Sequence, residues 1–389
     1  MKGYSLAITV LLINFFTIDV FAQDTGGRSS GRSSNEIVTA VPFLSVSPDS
    51  RSGALGDAGV AISPDANALY WNPSKIAFLD HGGLSVSYSP WLRSQVPNVF
   101  LSYGSYVQPL DQHSAFGASF RYFNLGSVDL YDNERNSQGS IRPYEFSVDG
   151  SYARSFGENF SAGLSLRYIY SSLEGTVTNQ GAYSQGNKVF AADASFYFKK
   201  NTLIFGKESL FAIGLNISNI GSRISYNQDG KKYFLPTNLK LGTANTWFTD
   251  GYSAITLAFD INKLLVPTPP IRDAENRIIK GHDDDKTLVE GIFKSFGDAP
   301  GGLKEELDEI SFSTGLEYCY DNRFALRAGY FYENPNKGNK GYFTLGTGFC
   351  YRQLNLDFCY LQASQQKSPL ANTIRISLGY NLKTRSNFH

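Results

Sequence analysis

The run Ser161-Ala162-Gly163-Leu164-Ser165-Leu166-Arg167-Tyr168-Ile169-Tyr170 carries the reading on which the fold turns. Ala162, Leu164, Leu166, Tyr168 and Tyr170 share one parity, while Ser161, Gly163, Ser165 and Arg167 share the other. An extended chain throws successive side chains to opposite faces, so a period of two defines a β-strand with one greasy and one small or polar face. The same pattern returns in Phe312, Thr314, Leu316, Tyr318 and Tyr320, which alternate with Ser313, Gly315, Glu317 and Cys319. It returns again in Phe343, Leu345, Thr347, Phe349 and Tyr351, and in Ile374, Ile376, Leu378, Tyr380 and Leu382. Each run is as long as a tilted strand needs to cross a bilayer, about 9–11 residues.

Working outward from these runs, fourteen strands are expected between residues 84 and 382. The links between them alternate in length. Short ones fall near 109–113, 156–159, 249–251, 321–322 and 352–353; long ones fall at 125–142, 173–187, 220–236, 263–309 and 363–372. Only the link at 201–208 is longer than its place in the alternation predicts. Short turns on one side and long loops on the other are the mark of a barrel inserted from the periplasm, and a β-sandwich has no reason to sort its loops this way. An unpaired backbone group in hydrocarbon costs several kcal/mol, so the sheet must close. The predicted fold is an all-β, transmembrane antiparallel β-barrel of about fourteen strands over 84–389, in the bacterial outer membrane.

Composition agrees with this and narrows the function. Lys plus Arg equal Asp plus Glu at 35 each, so no bulk charge points to nucleic acid. Charged residues make up 18%, below the quarter or so usual in soluble domains, while Phe (29), Tyr (24) and Gly (37) are abundant. Residues 1–22 read as a secretory signal peptide: Lys2, an apolar run from Leu6 to Ile18, and a small residue at Ala22. Residues 23–40 read as a flexible leader rich in Gly and Ser. No later stretch approaches the ~20 apolar residues of a membrane helix.

Residues 41–83 lack strand alternation and read as an N-terminal plug or hatch, with a periplasmic cap as the alternative. A barrel of this size has room for a narrow pore unless something fills it. Gly56, Asp57, Asn72 and Pro73 mark the turns of this segment. Glu317 and Arg327 fall on inward positions of adjacent strands and are expected to oppose each other as a structural ion pair. Cys350 and Cys359 lie on neighbouring strands about four residues out of register, which is outside disulfide geometry.

The 263–309 link is the longest and falls on the long-loop side. Leu288, Ile292 and Phe296 recur every four residues, which predicts a short amphipathic helix over 287–296. A second helix is expected over 303–310, beginning at Leu303 beyond Asp298 and Pro300. These residues are candidates for partner contact; the alternative is a loop packed on its own barrel rim. Asp283-Asp284-Asp285 lacks the glycine and terminal Glu of a calcium loop. The four histidines, His81, His113, His282 and His389, make no metal-ligand spacing, and no nucleophile elbow or phosphate loop is present. No catalytic, cofactor or metal site is expected.

Two stretches, Ser52-Gly53-Ala54-Leu55-Gly56-Asp57-Ala58-Gly59-Val60-Ala61 and Ala68-Leu69-Tyr70-Trp71-Asn72-Pro73, resemble the N-terminal region of FadL-like outer-membrane barrels. Within that superfamily the chain looks like the PorV family of the type IX secretion system of Bacteroidetes. That likeness rests on Ala40-Val41-Pro42-Phe43-Leu44, on the two motifs above, and on the Asp298-Ala299-Pro300-Gly301-Gly302 loop. The resemblance implies fourteen strands and a hatch in the lumen. It also implies partners: the type IX translocon barrel, cargo C-terminal domains, the subunits of the sortase-containing attachment complex, and outer-membrane lipid and lipopolysaccharide. On this reading the protein is a cargo shuttle whose peptidase chemistry belongs to a partner. The alternative is a FadL-like transporter of long-chain fatty acids or other hydrophobic compounds.

Overall fold

The computed structural model describes residues 35–91, 98–131, 136–178, 181–226, 232–364 and 372–382. The signal peptide and most of the leader expected from the sequence lie outside the described residues. Fourteen antiparallel strands close into a barrel. They are β1 (Gly83–Pro90), β2 (Val99–Pro109), β3 (Ser114–Leu125), β4 (Tyr144–Phe156), β5 (Phe160–Thr178), β6 (Gly181–Ile204) and β7 (Lys207–Gly221). The ring continues through β8 (Asn238–Phe248), β9 (Ser253–Leu264), β10 (Ile310–Tyr320), β11 (Phe324–Tyr332), β12 (Gly341–Tyr351), β13 (Leu354–Ala363) and β14 (Thr373–Asn381). Closure comes from β1 pairing with β14, Gly83 opposite Asn381 and Tyr88 opposite Ile376.

The greasy parity faces out. Leu164 and Leu166 are 67% and 73% exposed, while Ser161 and Ser165 on the same strand are buried. That inversion of a soluble protein is stable only where the outer surface meets lipid. Aromatic rings pack in tilted pairs across neighbouring strands on this face, as in Tyr144 against Tyr170 at 5.7 Å and Tyr168 against Phe190 at 5.3 Å.

Two links differ from expectation. The 201–208 link is a two-residue turn, because β6 runs on to Ile204 and β7 starts at Lys207. Phe205 and Gly206 both take positive φ, 55° and 74°, as a tight hairpin of matching twist requires. The 173–187 link is no loop: β5 and β6 stay paired through it, with Thr178 opposite Gly181. Both departures have one cause. Hairpin pairing continues past the membrane wherever the backbone is unobstructed, and hydrophobic alternation, which stops at the bilayer edge, cannot report it. Short turns and the exit of β14 lie at one mouth; the other carries the long links, with the β5–β6 hairpin, extended and closed by two residues, as its exception.

The Cys350–Cys359 register is as expected, Cys350 opposite Asn355 and Cys359 opposite Gly346, and all three cysteines are free thiols. No helix among the described residues is long and apolar enough to cross a membrane.

Candidate functional site: the inner segment and the lid

Residues 35–82 meet inward-facing side chains of strands all round the ring. Short helical turns at Ser50–Gly53 and Ala68–Trp71 and 3-10 turns at Pro42–Ser45 and Pro73–Phe78 give the segment its shape. What lets it fit is the small parity of the strands. A Cβ on inward Gly117 would strike Leu69, on Gly163 the Ser74 backbone, on Gly214 the Val60 carbonyl, and on Gly346 the Ala54 methyl. The tightest approach is backbone to backbone: a Cβ at Gly329 would lie 2.1 Å from Gly56 N. The glycines of the alternating pattern are therefore the groove in which the segment lies.

Polar groups in so enclosed a space must be paired. Asp260 on β9 accepts from Gly59 N at 2.7 Å and Val60 N at 2.9 Å. Asn72 donates to Val60 O at 3.1 Å and Phe196 O at 3.0 Å and caps the turn begun by Pro73. Gly56 N donates to Thr344 Oγ1 at 3.0 Å. Asp57, at φ 64°, accepts from Arg375 at 2.9 Å and from Tyr342 OH at 2.5 Å. The Lys75 ammonium donates to Gly59 O at 2.6 Å and Ile62 O at 3.2 Å.

Near the short-turn mouth the charges alternate in a chain. Glu317 and Arg327 stand opposite in register, with Arg327 Nε donating to Glu317 Oε2 at 2.6 Å. Arg327 also holds Asp357 at 2.6 Å, and Arg51 of the inner segment holds Glu317 at 3.3 Å and Asp65 at 3.0 Å. This chain forms one wall of a cavity of about 350 Å³ whose other wall includes Leu79, Val107 and Phe349. Neutralising its centre leaves two buried guanidiniums facing one carboxylate each. Glu317→Gln is expected to cost about 3–5 kcal/mol, read as a lower temperature for the heat-induced shift in gel mobility.

Near the long-loop mouth the filling is apolar: Val41, Phe43 and Leu44 pack among Val99, Leu101, Phe123, Ile169, Val189 and Leu235. Phe43 stacks on Phe123 with centroids 6.4 Å apart, and Arg121 donates to Leu44 O at 3.0 Å.

Over that mouth lies the link from β9 to β10, residues 265–309, here called the lid. Its helix begins at Leu288 and ends at Lys294, N-capped by Thr287 in a reciprocal box with Glu290. The second spans Leu303–Asp308. Buried ion pairs clamp the lid to the rim: Lys263 to Glu306 at 3.0 Å and Glu309 at 2.6 Å, and Lys337 to Glu305 at 2.7 Å and Glu309 at 3.0 Å. Asp298 and Pro300 are buried in the lid, and Asp298 accepts from Thr268 N at 3.3 Å. Leu288 and Ile292 are half-buried, whereas Phe296 and Leu303 are exposed. The four-residue spacing thus marks a face only in part. Val289, Phe293 and Leu307, which the spacing passed over, are exposed as well. In the polar run Asp283 and Asp284 pair with Arg272, and Asp285 pairs with Arg223. Among the described residues no His, Cys, Asp or Glu cluster could hold a metal ion.

Burial raises the Asp298 carboxyl to about 6, with Glu306 and Glu309 adding repulsion against the pull of the Thr268 amide. A carboxyl raised by folding binds its proton more tightly in the closed lid. That contribution is full below the ordinary value near 4 and is lost as pH rises toward 6. Lid opening, followed by amide exchange at Thr268 corrected for intrinsic rates, is expected to increase several-fold from pH 4 to 6.5 and then level off. Asp298→Asn, which keeps the acceptor, is expected to flatten the profile.

The closed fourteen-stranded fold defines a class. The Pseudomonas putida toluene transporter TodX shares it, with 12% identity, a TM-score of 0.52, and coverage of 89% of this chain and 99% of that one. A TodX deltaS2S3 mutant channel superposes at 0.50, with 12% identity and coverage of 86% and 98%. A Pseudomonas aeruginosa FadL homologue matches at 0.44, with 11% identity and coverage of 87% and 99%. No curated protein sequence matches the chain. The molecule is thus an outer-membrane β-barrel of FadL-like fold. Residues 29–271 match the model for "Type IX secretion system protein PorV", and the chain belongs to that family.

Proposed function

We propose that this barrel works from its long-loop face. The lid receives cargo bearing a C-terminal domain as it leaves the translocon, and the barrel escorts that cargo to the attachment complex containing the sortase. Residues 41–83 serve as the plug, so cargo does not pass through the lumen. The observation that carries this reading is the set of large exposed apolar side chains on the lid over the long-loop mouth, Val289, Phe293, Phe296, Leu303 and Leu307. Contiguous exposed apolar surface outside a membrane marks an interaction site. It is mounted on a scaffold clamped by buried ion pairs, so little ordering is needed on binding.

Transport of fatty acids or other hydrophobic compounds is the second reading, supported by the apolar chamber at the same mouth. Against it, Val41, Phe43 and Leu44 already occupy that chamber. Affinity purification of the full chain in mild detergent separates the two. Co-purified proteins sharing a C-terminal domain support docking; bound acyl chains with no such protein support transport.

A further inference from the structure

The inner segment is anchored at both ends, and the two anchors lie at opposite mouths. At its start Asn35 Nδ2 donates to Pro269 O at 2.9 Å and to Glu305 Oε1 at 3.1 Å, both in the lid. Ala40 N donates to Phe234 O at 2.8 Å, and Val41 N to Tyr226 OH at 3.2 Å, both in the link from β7 to β8. All four partners belong to the long-loop mouth. At its end Gly82 O accepts from Leu382 N at 2.8 Å, beyond the close of β14 at the short-turn mouth. Between these anchors the segment bonds Glu317, Thr344, Asp260 and Ser195 on four different strands of the wall.

We infer that the docking face is built from two separate parts of the chain, the lid and the extended stretch Asn35–Thr39, which reaches that face by running through the barrel. This rests on the reading that the long-loop mouth is the docking side. Glu36 and Val38 are exposed and follow Asn35, whose amide reaches the Glu305 that also holds Lys337. A partner settling on Leu303 and Leu307 would therefore meet Val38 on the same surface.

Single cysteines test the inference, because Cys319 and Cys350 already line the cavity at the opposite mouth. In a background with the native cysteines changed to Ser, Glu36→Cys, Val38→Cys and Ile279→Cys, the last on an exposed part of the lid, are treated with a membrane-impermeant maleimide on intact cells. The wild-type chain, with Cys319 and Cys350 in place, is treated alongside. Positions 36, 38 and 279 are expected to gain label together, and the native pair only once the outer membrane is permeabilised. Label at 279 with none at 36 and 38 until permeabilisation would overturn the inference while leaving the docking side intact. If 279 itself requires permeabilisation, the docking side is wrong, and whether 36 and 38 follow 279 or separate from it still decides the shared mouth. A photo-reactive residue at Val38 should then yield the same protein adduct as one at Phe293. An adduct at Phe293 alone would remove Asn35–Thr39 from the docking face.

Discussion

Gly329→Val is expected to make the barrel conduct by displacing the segment proposed as its plug. A Cβ there would lie 2.1 Å from Gly56 N and 2.2 Å from the Leu55 carbonyl carbon. Both obstacles are backbone, so no rotamer relieves the clash. The reverse approach is as tight, since a Cβ at Gly56 would strike the Tyr330 backbone at 2.5 Å, and φ there is +68°. The segment must withdraw, losing the Gly56–Thr344 bond and the Asp57 contacts to Arg375 and Tyr342. Overpacking of this kind costs about 1–3 kcal/mol, and leaving the Arg375 guanidinium buried without Asp57 costs about 3–5 kcal/mol more. The wall itself is a closed ladder that does not depend on those contacts. The variant should therefore keep its heat-modifiable gel mobility while conductance steps appear in planar bilayers where the parent is silent. Gly104→Val is the control, because a Cβ at that position meets nothing within 4 Å. A silent Gly329→Val would mean that this segment is not what closes the lumen.

The second large effect concerns binding. Phe293→Ser and Leu303→Ser are each expected to weaken capture of cargo by roughly 30- to 1,000-fold, the range of about 2–4 kcal/mol that buried aromatic or aliphatic anchors supply at an interface. The two side chains are 74% and 76% exposed in the free protein, so their loss should leave barrel stability unchanged within about 0.5 kcal/mol. Phe190→Ser removes a side chain 71% exposed on the lipid face and should leave cargo binding at its parent level. Equal losses in all three variants would place the effect in the barrel rather than the lid.

How much of this was legible beforehand follows from the physics of each part. A lipid-facing strand must alternate, so all fourteen strands could be placed from parity, and the loop asymmetry followed from the same count. The Glu317–Arg327 contact was readable because a short turn sets the register of its two strands. The rest of the interior was not. Asp260 reads as one more inward polar residue of β9, and nothing local says that it accepts from Gly59 and Val60, some two hundred positions earlier in the chain. Asp49 and Trp71, joined at 2.7 Å, pose the same difficulty within a segment that has no period to read. A signal for the inner segment did exist: the inward parity is rich in glycine, far smaller than a water-lined wall needs, which means that something packs against it. On the lid, helical spacing located the first helix, but it selected Leu288 and Ile292, which are half-buried, and passed over Val289 and Phe293, which are exposed. Periodicity finds the buried face of an amphipathic helix, and a helix with apolar residues on both faces defeats it.

The most direct test places a photo-reactive residue at Phe293 on the lid and, separately, at Asn355 beside the cavity at the opposite mouth, in living cells during secretion. The expected result is a covalent adduct at 293 with proteins that share a C-terminal domain, and none with them at 355. Cargo trapped at 355, or no protein adduct at 293 while secreted proteins still reach the surface, would contradict docking on the lid.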